Sequence, residues 1–110
     1  MRNYTFEKDE TGKITNIFVD GKPVKRGSMR GFRKAQEKSY FILYDEPCTA
    51  ENPFSGVTVR LNGLEATIYD FCIKWYRRYE RGLETTIQVY DDMKYFLLEI
   101  NPNAYMDLID

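Results

Sequence analysis

The chain has 110 residues, 17 of them aromatic and 30% of them charged, with a net charge of −1 and no histidine. That length fits one domain, 1–110, with one core, and the near-zero charge gives no global attraction to nucleic acid or to a membrane. The missing imidazole removes the side chain used most often for acid–base work and metal ligation near neutral pH, so the expectation is a non-enzyme with no catalytic residue, no metal and no cofactor.

Asn3 to Lys8 alternates, with Tyr4 and Phe6 on one face, and predicts a strand. Asp9-Glu10-Thr11-Gly12 predicts a turn with glycine at a positive-φ position. Lys13 to Val19 predicts a second strand, but its apolar phase slips between Ile14 and Ile17, which calls for a bulge or a different register. Asp20-Gly21 is a strong two-residue hairpin signal. It leads into a short strand, Lys22 to Lys25, that Pro23 assigns to a sheet edge. Arg26 to Lys38 reads either as a helix or as a loop. Ser28 would cap the helix, with Met29, Phe32 and Ala35 on one side, while Gly27 and Gly31 argue against it. Ser39 to Tyr44 and Gly56 to Leu61 read as strands, joined by an exposed loop holding Pro47, Asn52 and Pro53.

The last third reads as helical. Asn62 followed three residues later by Glu65 resembles a capping box. Leu64, Ile68, Phe71, Cys72, Trp75 and Tyr79 then fall on one arc, and Gly82 ends the helix. Thr85 to Val89 reads as extended. Tyr90 to Ile100 predicts a second helix with Met93, Phe96, Leu97 and Ile100 inward. Asn101-Pro102 predicts the cap and first residue of a short last helix carrying Tyr105, Leu108 and Ile109. The expected fold is α+β: an antiparallel sheet of four to five strands from the N-terminal half, with two helices and a short terminal helix packed on one face and Trp75 central.

Charge is unevenly placed. From Gly21 to Lys38 seven cations (Lys22, Lys25, Arg26, Arg30, Arg33, Lys34, Lys38) face one acid, Glu37, whereas from Leu83 to Asp110 six acids face Lys94 alone. Lys25, Arg26, Arg30, Arg33 and Lys34 are the candidate anion or nucleic-acid patch. Arginines would grip phosphate oxygens, and Phe32 would stack on a base. The plainer readings are a solvated edge, or docking against the chain's own acidic C-terminal third. The spacing Gly27-x-x-x-Gly31 matches neither the dinucleotide nor the P-loop fingerprint.

Tyr69, Ile73 and Tyr76 lie off the core arc of the long helix and are the candidate protein interface, for a partner or for self-association into a homo-oligomer. Packing of both helix sides within the domain is the alternative. Asp91 and Asp92 point about 100° apart on a helix, so helix-start charge suits them better than a catalytic dyad. Cys48 and Cys72 are too few for a disulfide framework and make a poor zinc site without histidine. No apolar run approaches the roughly 20 residues that span a bilayer, and the N-terminus has no apolar signal core. A cytoplasmic chain with reduced thiols and no membrane contact is expected.

Three stretches carry a resemblance: Asn62-Gly63-Leu64-Glu65-Ala66-Thr67-Ile68-Tyr69-Asp70-Phe71, Tyr90-Asp91-Asp92-Met93-Lys94-Tyr95-Phe96, and Asn101-Pro102-Asn103-Ala104-Tyr105-Met106-Asp107-Leu108-Ile109-Asp110. Together they resemble the ending of small accessory proteins encoded by bacteriophages, and the ending at Asp110 reads as complete. The resemblance covers under half the chain and carries no catalytic residue. It implies a setting, the cytoplasm of a bacterial host, and a mode of action by binding. The functional expectation is a non-enzymatic binding protein, a phage-type accessory or counter-defence factor that engages a host protein or other macromolecule or an anionic ligand. The alternatives are a nucleic-acid-binding module using the basic segment 22–38, and a structural or virion-associated oligomeric subunit.

Overall fold

A computed structural model describes residues 3–109; Met1, Arg2 and the acid Asp110 lie outside the described residues. Strands β1 (Tyr4–Lys8), β2 (Ile14–Val19) and β3 (Lys22–Pro23) form an antiparallel sheet in the order β1-β2-β3, which puts Pro23 at an edge. The slipped phase is a bulge. Glu7 pairs with Asn16 but Lys8 with Ile14, so Thr15 is the extra residue, and Ile14 and Ile17 both turn into the core. Asp20 and Gly21 both have positive φ, 52° and 80°, as the two-residue hairpin demands.

The basic segment is a helix, α1 (Arg26–Ala35), with Met29, Phe32 and Ala35 buried. Ser28 does not cap it. The cap comes from a carboxylate 74 residues away: Glu99 accepts from the Lys25 N–H at 3.1 Å and from the Ser28 hydroxyl at 2.7 Å. A negative charge there suits the positive end of the helix dipole.

Ser39 to Tyr44 is not a strand. Its backbone finds other partners: the Phe41 N–H donates to the Lys38 carbonyl and the Tyr44 N–H to the Thr67 hydroxyl. The Tyr40 ring stacks on Phe71 instead of pointing from a pleat. The expected exposed loop contains a strand, β4 (Cys48–Glu51), which pairs antiparallel with β5 (Thr58–Leu61). The single sheet of four to five strands is therefore replaced by two separate sheets, of three strands and of two.

Helix α2 (Gly63–Glu80) opens with both bonds of the capping box. The Glu65 N–H donates to Asn62 Oδ1 at 2.8 Å, and the Asn62 N–H to Glu65 Oε1 at 2.9 Å. It closes at Gly82, φ +75°, where the Leu83 N–H reaches back to the Arg78 carbonyl and the Gly82 N–H to that of Tyr79, a Schellman motif. Gln88 and Val89, expected to be extended, already belong to α3 (Gln88–Ile100), which starts two residues before the expected helix. Asn101 caps α4 (Pro102–Leu108) through Oδ1, and its Nδ2 donates to Glu65 Oε2, which ties the start of α4 to the start of α2.

Instead of two helices and a short one on a sheet face, there are four helices with α3 at the centre, touching α1, α2 and α4. The three-stranded sheet leans on α1, and the hairpin β4–β5 on α2 and α4. The core runs through Phe32, Phe71, Trp75 and Phe96. Trp75 stacks with Tyr79 and with Tyr90, at centroid distances of 5.1 and 4.6 Å.

Burial pushes the Tyr40 and Tyr90 phenols up to about 12 and the Cys72 thiol strongly upward. These groups stay neutral in the fold while their unfolded counterparts ionise at about 8.5 for the thiol and about 10 for the phenols. Their contribution to stability is complete below the thiol's unfolded value and is lost as pH rises toward about 12. With no histidine to titrate, urea midpoints are expected to match between about pH 6 and 8 and to fall by pH 11.

Candidate functional site

The outer face of α1 is built by subtraction. The C-terminal third supplies acids that neutralise part of the basic segment. Asp92, on α3, accepts two bonds from Arg30, from Nε and Nη2, both at 3.0 Å, and a third from Gln88 at 2.9 Å. The Arg30 guanidinium is held above its ordinary pKa by its hydrogen bonds to Asp92. Glu84, which is buried, accepts from Lys38 Nζ at 2.9 Å and lies 3.6 Å from Arg78 Nε. Glu99 takes the start of α1, and Glu37 pairs with Lys13 at 3.3 Å.

What remains is Lys22, Lys25, Arg26, Arg33 and Lys34. All are exposed, and none has a side-chain ion pair among the described residues. The alternatives left open by the sequence divide along the helix. Arg30 docks on the acidic third, while Arg26, Arg33 and Lys34 face solvent beside it, with Lys25 at the helix start.

Two local features hold this arrangement. Gly31 lies against α3 so closely that a Cβ there would stand 2.3 Å from Asp92 Cβ, and this approach brings the Asp92 carboxylate to Arg30. Beside the ridge, Arg26 and Arg33 flank a shallow depression of about 260 Å³ floored by Ile17, Pro23, Val24 and Met29. On its other side Arg30 and Lys34 border one of about 400 Å³ with Thr86 and Val89. The face can hold oxyanions by charge-assisted hydrogen bonds over an extended contact. Phe32 takes no part: it is 0% exposed and packs edge-on to Phe41 and Phe96, so the expected base-stacking role is corrected to a core role.

The expected protein-facing trio is divided. Tyr69 and Ile73 are half-buried and line a groove of about 380 Å³ between α2 and the hairpin, with Tyr44, Ala50 and Leu61. Burial raises the Tyr69 phenol. Tyr76 stands outside this groove, exposed, with its ring 6.4 Å from Tyr79 and 6.3 Å from Tyr90. At the groove rim Asp70 pairs with Lys74 at 2.8 Å, whereas Arg77 has no ion pair among the described residues.

The sequence reading missed Asp92, Glu84 and Glu99 as individual partners, although the excess of acid after Leu83 was the available signal. It also missed Phe54, a large apolar residue set in the turn-forming run Asn52-Pro53-Phe54-Ser55-Gly56 and 98% exposed. Among the described residues no three histidine, cysteine or carboxylate side chains stand together as a metal site. No helix among them is long and apolar enough to cross a membrane. Comparison with protein-family models, with curated proteins and with solved structures gives no match, so the site is read from its own residues.

Proposed function

We propose that this chain is a non-enzymatic binding protein whose α1 face engages an anionic macromolecule. Arg26, Arg33, Lys34 and Lys25 make the contacts, and Arg30 both contributes charge and clasps α1 to α3. The observation that supports this reading most is the unequal use of acids. Asp92, Glu84 and Glu99 are spent on Arg30, Lys38 and the helix start, while five neighbouring cations have no side-chain ion pair among the described residues. Arg26, Arg33 and Lys34 have no counter-charge among the described residues, and a bound polyanion would supply one. Phe32, the ring expected to stack on a base, lies in the core, which favours an acidic protein surface over base-reading nucleic-acid recognition.

The resemblance of the C-terminal part to phage accessory proteins supports a setting, the cytoplasm of a bacterial host, in which such a surface would occupy or block a host component.

The test is parallel capture from bacterial lysate with the wild type and with the Arg26→Gln/Arg33→Gln/Lys34→Gln variant, the retained proteins and nucleic acid being identified by mass spectrometry. The wild type is expected to retain acidic proteins that the variant loses by roughly tenfold or more. Retention of nucleic acid alone would move the assignment to a nucleic-acid module. An identical retained set for both proteins would end the proposal.

A further inference from the structure

The hairpin β4–β5 ends in a fixed turn that holds an aromatic ring in water. The Phe54 N–H donates to Asn52 Oδ1 at 2.8 Å and the Gly56 N–H to the Asn52 carbonyl at 2.9 Å, while Gly56 has φ +76°. Asn52 Nδ2 donates to the Asp107 carbonyl at 2.8 Å, which anchors the turn to α4. Phe54 is thus 98% exposed in a turn constrained on both sides. A single exposed apolar residue is ordinary, but here a second feature lies next to it. Pro53 lines the apolar groove formed with Tyr44, Ala50, Leu61, Tyr69 and Ile73, and Phe54 is not among the residues that line it.

The geometry points to a second copy of this chain as the occupant of that groove, in a two-fold dimer where each Phe54 enters the partner's groove. Most homo-oligomers close by a two-fold axis, and such an interface must be self-complementary. The rim charges meet that condition: Glu51 and Arg77 line the same groove, and neither has an ion pair among the described residues. In the proposed dimer each Glu51 pairs with the Arg77 of the second copy. Cross-copy pairing of one acid and one base from the same rim is how an isologous contact satisfies charge. The contact is small, so the dimer is weak, with a dissociation constant on the order of 100 μM. It lies on the hairpin and α2, away from the α1 cations, and stands or falls separately from the anion reading.

Cys48 supplies the readout. It is exposed and lines the groove, whereas Cys72 is buried and silent. Alkylation of Cys48 by iodoacetamide is expected to slow several-fold as protein concentration rises from about 10 μM to about 1 mM, in step with a rise toward dimer mass in sedimentation equilibrium. Phe54→Ser, an exposed substitution that leaves folding untouched, keeps Cys48 reactive and the protein monomeric throughout. Glu51→Arg weakens association, and adding Arg77→Glu restores it. A monomeric wild type with concentration-independent Cys48 reactivity overturns the proposal, as does a Phe54→Ser variant that still dimerises.

Discussion

Gly31→Ala is expected to destabilise the protein by about 2–3 kcal/mol, against the usual direction for glycine in a helix. In a helix interior, replacing glycine by alanine ordinarily gains up to about 1 kcal/mol. Here the added methyl meets Asp92 Cβ at 2.3 Å and the Asp92 Cα and carbonyl carbon at 3.4 Å. The obstacle is the trunk of α3, which cannot swing aside as the tip of a flexible side chain could. Helices α1 and α3 must separate. That separation strains the two Arg30–Asp92 bonds, the Glu99 cap and the Phe32–Phe96 edge contact together. Urea denaturation gives the sign directly. A stabilised Gly31→Ala would show that α1 does not lie against α3 as described, and the sorting of the cations would fail with it.

Trp75→Ala is expected to cost about 3–5 kcal/mol, the range for a large aromatic removed from a core. Trp75 is 1% exposed and lies at the join of α2 and α3, stacked with the rings of Tyr79 and Tyr90. Trp75→Phe is expected to be far milder, about 1 kcal/mol, for a reason specific to this site. The indole Nε1–H is buried with no acceptor among the described residues, so a phenyl ring keeps much of the stacking and removes an orphaned donor. Because Trp75 is the only tryptophan, both variants are followed by far-ultraviolet circular dichroism. Equal losses for alanine and phenylalanine would mean that the indole N–H has a partner and that the stack contributes little.

The parts of the fold legible in the sequence are those closed by short-range bonds. The Asn62/Glu65 box, the Gly82 stop and the Asn101-Pro102 start each complete their capping hydrogen bonds within a few residues, and the Asp20-Gly21 turn is set by its own two positive φ angles, so residue type and spacing suffice. Tertiary contacts overrode the rest. Ser39 to Tyr44 has strand-forming residues, but its aromatics cover α2 and its backbone is met by the Thr67 hydroxyl. β4 is small and polar, and only its pairing with β5 makes it a strand. The true cap of α1 lies on another helix, beyond the reach of any local pattern.

The site divides in the same way. Its cations were plain from composition, and so was an acidic third that could oppose them. Which of them are matched depended on where α3 places Asp92 and Glu99 and on where the turn before it places Glu84. The buried side of Phe32 likewise became visible only with α1 packed on α3.

The outer cations of α1 are the centre of the account, and the salt dependence of binding to heparin, a model polyanion, probes them most directly. Counterion release makes log affinity fall linearly with log salt in proportion to the contacts made. The wild type is expected to show a slope steeper by about 2–3 than the Arg26→Gln/Arg33→Gln/Lys34→Gln variant, with affinity higher by about 10- to 100-fold at low salt and an unchanged urea midpoint. Equal slopes and equal affinities, or a variant that unfolds more readily than the wild type, would mean that these three side chains serve the fold rather than a partner.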